Sequence, residues 1–371
     1  MLLRRWILGG FAALSLAVAG ASPAPAAAPR FDVFTVTPVP VDATAANATA
    51  ARDQALAEGQ QHAFRLLMER LTVASGANRL PRLSNAQLVN LVQGFEVANE
   101  RRSGVRYLAD YTFHFRPDAV RQLLRQSGIA FAETPSKPLV VLPVLHDGDR
   151  AVLWDDPNSW RDAWAGAKLV PGLVPLVKPL GELGDLEAID AEAAMRGDDA
   201  ALKAISQRYN GDDVLVTQAT LKPGNTHRVD VTTTRYSPGS PGSEQTWVTS
   251  VTASPGESDT DIMARAVADT MMQIEEAWKA ANILDFRQGG TLTARVPISA
   301  LKDWVAVRDR LAGIPAVRGS QLVSLDRGSA MVEIHYVGDP GQLRLALAQH
   351  DLELAGNDPD WVLQRRGAVP R

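Results

Sequence analysis

Cysteine is missing from all 371 residues. That absence excludes disulfides, thiolate metal sites, thiol nucleophiles and iron–sulfur clusters together. It also removes the acceptor that a lipid-anchored lipoprotein needs. A surplus of positive charge is missing too, since 38 Lys and Arg face 42 Asp and Glu. A general polyanion binder draws its affinity from such a surplus, so that class is set aside. Histidine is sparse, at 62, 114, 146, 227, 335 and 350, and no two have metal-ligand spacing. His-Glu-x-x-His, Gly-x-Ser-x-Gly and a phosphate-cradling glycine loop do not occur. The sequence therefore assigns no catalytic residue, no cofactor site and no metal site.

What is present begins with an export signal over residues 1–28. Arg4 and Arg5 precede an apolar run from Trp6 to Ala19, and small-residue sites follow at Ala19-Gly20-Ala21 and Ala24-Pro25-Ala26. The run is shorter than the roughly 20 apolar residues of a membrane anchor and ends among Pro and Ala. Its removal takes away two arginines and no acid, so the charge of −4 becomes −6. No later stretch is apolar enough to span a bilayer. The mature chain is expected to be soluble, periplasmic and exported by a Gram-negative bacterium.

At roughly 150 residues per domain the length allows two or three domains, and the pattern gives an α+β chain of three modules. The first, residues 29–133, reads β-α-α-β-β-α. It has an opening strand at Phe31–Val36, a long helix from about Ala45 to Leu71, a Ser84-capped helix, strands around Gly94–Val97 and Val105–Phe115, and a helix after Pro117. Ala55, Gly59 and Ala63 form a small-residue stripe suited to lying close across a sheet. Thr134–Pro138 reads as a linker. The second module, residues 138–285, is a mixed-sheet α/β unit. It opens on the continuously apolar Leu139–Leu145, a strand buried on both faces, and contains a helix from about Leu186 to Tyr209. Strands near Arg228–Tyr236 and Gln245–Thr252 follow. Its closing helix presents Met263, Val267, Met271, Ile274, Trp278 and Ala281 on one face. After Gly289-Gly290, residues 289–371 follow the ferredoxin-like plan, β-α-β-β-α-β, with Ser299 as a helix cap and a last strand near Asp360–Leu363.

Arg327–Ile334 has the basic-Gly-x-Ala-x-Val frame of an RNA-reading strand. Ser329, Met331 and Ile334 stand where stacking aromatics would be, so no nucleic-acid partner is expected. His114 and His335 fall on the solvated faces of alternating strands. The acid pairs Asp155-Asp156, Asp198-Asp199 and Asp212-Asp213 adjoin element starts and read as caps or turns. The most pointed local feature is Leu153-Trp154-Asp155-Asp156-Pro157-Asn158-Ser159-Trp160-Arg161-Asp162-Ala163-Trp164. Asp156 and Pro157 suit a helix entry, and Trp160 and Trp164 share one helical face. Those two rings are either an apolar plug against the strands or, with Trp154, Asp155 and Asp156, an exposed surface for a partner or ligand.

Four stretches carry a resemblance. They are Val41–Ala46 leading into Arg52–Gln60, Gly94-Phe95-Glu96-Val97, Leu139–Pro143 and Leu153–Asn158. Together they resemble a proteobacterial exported family, domain of unknown function 2066, over nearly the whole mature chain. The resemblance implies no activity and no site residues. The opening strand and alanine-rich helix are also similar to N-terminal modules of flagellar and outer-membrane assembly proteins. The middle module is similar in fold to mixed α/β domains of periplasmic lipoproteins that activate cell-wall synthases. The expected task is non-catalytic binding or scaffolding in the cell envelope, with an envelope protein or a cell-wall component as partner. A glycan hydrolase using carboxylates far apart in sequence and a small-ligand-binding protein are the alternatives.

Overall fold

The computed structural model describes residues 32–169, 171–222, 227–240, 242–284 and 288–366. The export leader read at residues 1–28 lies outside them. The α+β organisation is present as three separate sheets. Among the described residues no helix is long and apolar enough to cross a membrane.

The first sheet has the antiparallel order β1-β3-β2, with β1 at Thr35–Thr44, β2 at Val92–Arg102 and β3 at Arg106–Phe115. Tyr107, Ala109, Tyr111, Phe113 and Phe115 of β3 alternate inward, as strand period two requires. Helix α1 (Ala48–Leu71) crosses that face through Ala51, Ala55, Gly59 and Ala63. A Cβ on Gly59 would stand 3.1 Å from Val41 and 3.2 Å from Tyr111, so the glycine permits the close crossing. Asn47 caps α1 through a 2.8 Å bond from Ala50 N–H. Helix α2 (Asn85–Leu91) starts on the expected Ser84, whose capping box is completed by Gln87. Helix α3 (Pro117–Gln126) follows β3. The opening strand differs from expectation. Val33 and Phe34 form a turn, and β1 runs on through Pro38 and Pro40. An edge strand tolerates proline, and the register shifts between Val36 and Val39 absorb the first one.

The second sheet runs β5-β4-β7-β8-β9. Its strands are β4 (Leu139–Asp147), β5 (Arg150–Val152), β7 (Asp213–Lys222), β8 (Arg228–Tyr236) and β9 (Gln245–Thr252), with the short β6 (Leu176–Val177) beside β4. Every residue from Leu139 to Leu145 is buried, because helices cover both faces of this parallel centre. The single helix expected from Leu186 to Tyr209 is three short ones: α5 (Leu183–Ala188), α6 (Ala191–Arg196) and α7 (Asp199–Arg208). Local side chains interrupt it. Asp190 and Asp198 each cap a new start, and Gly197 ends α6 in a left-handed conformation.

On the opposite face lie α4 (Ser159–Gly166) and α8 (Asp259–Asn282). Helix α8 buries Met263, Val267, Ile274 and Trp278 as expected, while Met271 is half-buried and Ala281 is exposed. It also binds the first sheet's helix layer. Lys279 Nζ donates to the carbonyls of Glu69 (2.9 Å) and Thr72 (2.8 Å) at the end of α1, and Ala74 N–H donates to Glu276. The stretch read as a linker is a buried strap. Glu133, Thr134 and Ser136 are buried, Thr134 O accepts Trp278 Nε1–H (2.8 Å), and Ser136 N–H donates to Leu173 O.

The third sheet contains β10 (Gly289–Pro297), β11 (Val317–Leu325), β12 (Ser329–Val337), β13 (Leu352–Ala355) and β14 (Trp361–Arg365), in the order β11-β12-β10-β14-β13. Helices α9 (Leu301–Ala312) and α10 (Pro340–Gln349) complete it. The β-α-β-β-α order is as expected, but the last strand is a hairpin, and its second arm pairs parallel to β10. The α9 cap is also not Ser299. Asp303 reaches back to accept the N–H groups of Ser299 and Ala300, both at 2.9 Å.

Candidate functional site

The Trp154–Trp164 stretch is positioned by one buried asparagine. Asn158 Oδ1 caps α4 by accepting Arg161 N–H (2.9 Å), while its Nδ2 donates to the carbonyls of Val152 and Leu153. The cap is therefore Asn158 rather than Asp156, and Asp156-Pro157 are the two residues immediately before it. Trp160 and Trp164 are 0% and 1% exposed, with ring centroids 6.0 Å apart edge to face. Trp160 Nε1–H donates to Thr217 O (2.9 Å). These rings plug the space between α4, β4 and α8, so they form no exposed aromatic surface. Trp164 Nε1 has no partner, a cost of about 1–3 kcal/mol at a buried donor.

Trp154 is only half-buried. Its Nε1–H donates to Ile189 O at 2.7 Å, and its ring lies against Gly181, where a Cβ would come within 3.3 Å of Cε3. Asp155 and Asp156 point to solvent and pair with Arg150 and Arg161. The structure thus divides the five expected surface residues: Trp154, Asp155 and Asp156 reach the surface, and Trp160 and Trp164 do not.

Beside Trp154 the sequence reading missed a second feature. Leu180, Leu183 and Leu186 are 79%, 73% and 47% exposed; Leu183 and Leu186 are three apart on α5 and share one side of it, and Leu180 precedes the helix. Their backbone is fixed from behind by Asp185, whose side chain is wholly buried. Its carboxylate accepts four groups: Gly181 N–H and Glu182 N–H at 3.0 Å, Arg208 Nε–H at 2.7 Å and Tyr209 OH at 2.8 Å. Burial also pushes the Tyr209 hydroxyl above its ordinary range, with the Asp185 bond acting in the same direction. A turn tied at so many points holds its leucines in water by construction rather than by slack. Residues 180–192 carry Glu182, Asp185, Glu187, Asp190 and Glu192 and no basic residue. The run of leucines three apart among glycines and acids was the available signal.

Two other constellations have chemistry-bearing types. Thr35 Oγ1 lies 2.9 Å from His114 Nδ1, and His114 Nε2 lies 3.1 Å from Glu96. The same trio recurs as Thr291, His335 and Glu333 at 2.9 and 3.1 Å. In both cases Thr and His are direct cross-strand partners on half-exposed sheet faces, the pairing that a sheet produces by itself. Asp118 and Glu133 share a cleft of about 330 Å³. One guanidinium engages both: Arg121 Nη1 lies 3.0 Å from Asp118 and Arg121 Nε 2.8 Å from Glu133. Carboxylates bridged in this way do not flank an open gap for a scissile bond. Among the described residues no group of three or more His, Asp or Glu could hold a metal ion.

No family model matches the sequence, and no curated protein matches it either. Among solved structures the chain is similar to lipoprotein GNA1162 from Neisseria meningitidis. The identity is 17%, the alignment covers 38% of this chain and 98% of that one, and the TM-score is 0.26. A likeness that loose carries no argument about function.

Proposed function

We propose that the protein is an exported, periplasmic, non-catalytic binding or scaffolding component of the cell envelope, of the kind that domain of unknown function 2066 represents. The observation that carries the binding reading is the leucine ridge: three exposed leucines on a turn fixed by a buried, fully engaged carboxylate. An exposed apolar group that is held rigidly loses little further entropy on docking. The occupant is an envelope protein that presents an apolar stripe.

The test is site-specific photo-crosslinking from position 187, an exposed neighbour on the same helix, in periplasm, followed by identification of the product. One reproducible envelope protein is expected, and the Leu180→Glu, Leu183→Glu double variant should abolish the product without lowering the melting temperature. Scattered abundant proteins, or a product indifferent to the double variant, would refute the reading.

A further inference from the structure

The third module encloses a core of its own, and α10 meets the rest of the chain through residues of one face. Gln342, Leu345 and Gln349 share that face at helical spacing. Gln342 Nε2–H donates to Ile283 O at the end of α8 (2.7 Å), and Leu345 rests on the core of the first two sheets. Gln349 Oε1 accepts Lys137 N–H of the strap at 2.7 Å. Beside this last bond four charged residues close a ring. Lys137 Nζ lies 2.8 Å from Asp351 and 3.0 Å from Asp212, which immediately precedes β7. Arg366 Nη1 lies 2.8 Å from the same Asp212 oxygen, and Arg366 N–H donates to Asp351 O at 2.9 Å. Asp351 and Arg366 belong to the third module, Lys137 to the strap and Asp212 to the second module. Asp351 follows α10 in the left-handed conformation (φ 58°), where glycine is the unstrained residue. A carboxylate therefore stands where the backbone alone would favour glycine. The side chains of Lys137, Asp212, Asp351 and Arg366 are 20%, 37%, 60% and 55% exposed, so dissolved salt screens the ring.

We propose that this ring is a salt-labile clasp that holds the third module against the strap and the second module. When it is released, the module turns away as a rigid body about Ile283 and Leu284. Leu284 lies in the third module's core while its N–H donates to Phe131 O (3.1 Å), which makes it the pivot. The movement opens the cleft between α3 and the turn from α9 into β11. An interface of amides, a leucine and partly exposed ion pairs belongs to the class across which domains move. The clasp is independent of the leucine ridge and survives if that reading fails.

Pulsed electron spin resonance on the purified chain tests the clasp, because the lack of cysteine allows two labels to be placed at chosen sites. Gln126→Cys on α3 and Ser324→Cys on β11, both exposed positions, carry them. At low ionic strength one short, narrow distance is expected. In about 1 M sodium chloride, where the screening length falls to about 3 Å, a second and longer population should appear. Lys137→Met should show that population already at low salt. Asp351→Gly should do the same, and because glycine suits the left-handed backbone it tests the clasp even if the strap variant folds poorly. A single distance that salt and both variants leave unchanged overturns the proposal. So does a broad distribution at low salt with the clasp residues intact, or a salt response that neither well-folded variant reproduces.

Discussion

Glu275 fastens a turn and makes stability depend on pH at the same time. Its carboxylate accepts the N–H groups of Val174 (2.9 Å) and Leu173 (3.2 Å), fixing the apolar stretch that enters β6. Burial pushes its carboxyl above the ordinary 4.5, against the pull of those two bonds. Glu133 is raised for the same first cause, with Arg121 opposing. A carboxyl raised by folding favours the folded state most below its unfolded value, and this contribution is lost as pH rises through the folded value. Glu275→Gln keeps an oxygen acceptor and cannot ionise. Wild-type stability relative to Glu275→Gln should therefore decline from about pH 4.5 towards neutrality. Thermal melts of both proteins at stepped pH check this, and parallel curves would contradict it. Single residues also mark where sequence reading ends. Spacing put Trp160 and Trp164 on one face, but the depth of that face depends on α8, about a hundred residues away.

At the scale of elements, strand alternation and caps were legible because their causes are local. Strands β8 and β9 fall at Arg228–Tyr236 and Gln245–Thr252, as read, and Ser84 caps α2. Ends and interruptions set by distant partners were not legible. The end of α1 depends on Lys279, which is nearly buried and donates to two of its final carbonyls. Lys279→Met keeps the aliphatic stem and removes only the ammonium. It should cost about 1–3 kcal/mol, the price of leaving buried acceptors unpaired. Urea titration measures this, and an unchanged midpoint would mean that water replaces the amine. The broken helix from Leu183 to Arg208 has local causes, namely two capping aspartates and a glycine, and a closer reading of Asp190, Gly197 and Asp198 would have divided it.

At the scale of the whole molecule, one continuous apolar cluster joins the first two sheets. It runs from Val36 and Phe113 through Phe131 and Trp278 to Val141 and Leu215, whereas the third sheet encloses a cluster of its own. The sequence pointed to Thr134–Pro138 as a linker because proline and small polar residues usually mark one, and pattern alone does not reveal that α8 closes over it. A fragment of residues 32–133 should therefore lack a cooperative melt, since it exposes Phe131 and the end of α1. A sharp two-state transition in that fragment, measured by circular dichroism, would contradict the shared core. The two margins of the first sheet also differ. Pro38 and Pro40 leave β1 without two amide hydrogens, while β2 has no proline and is largely exposed, its ladder shifting register between Ala98 and Arg101. Growth by strand addition is therefore one-sided. Two copies meeting through their β2 margins would use up the reactive side of each, so self-association by this route stops at a pair and cannot propagate into a fibre.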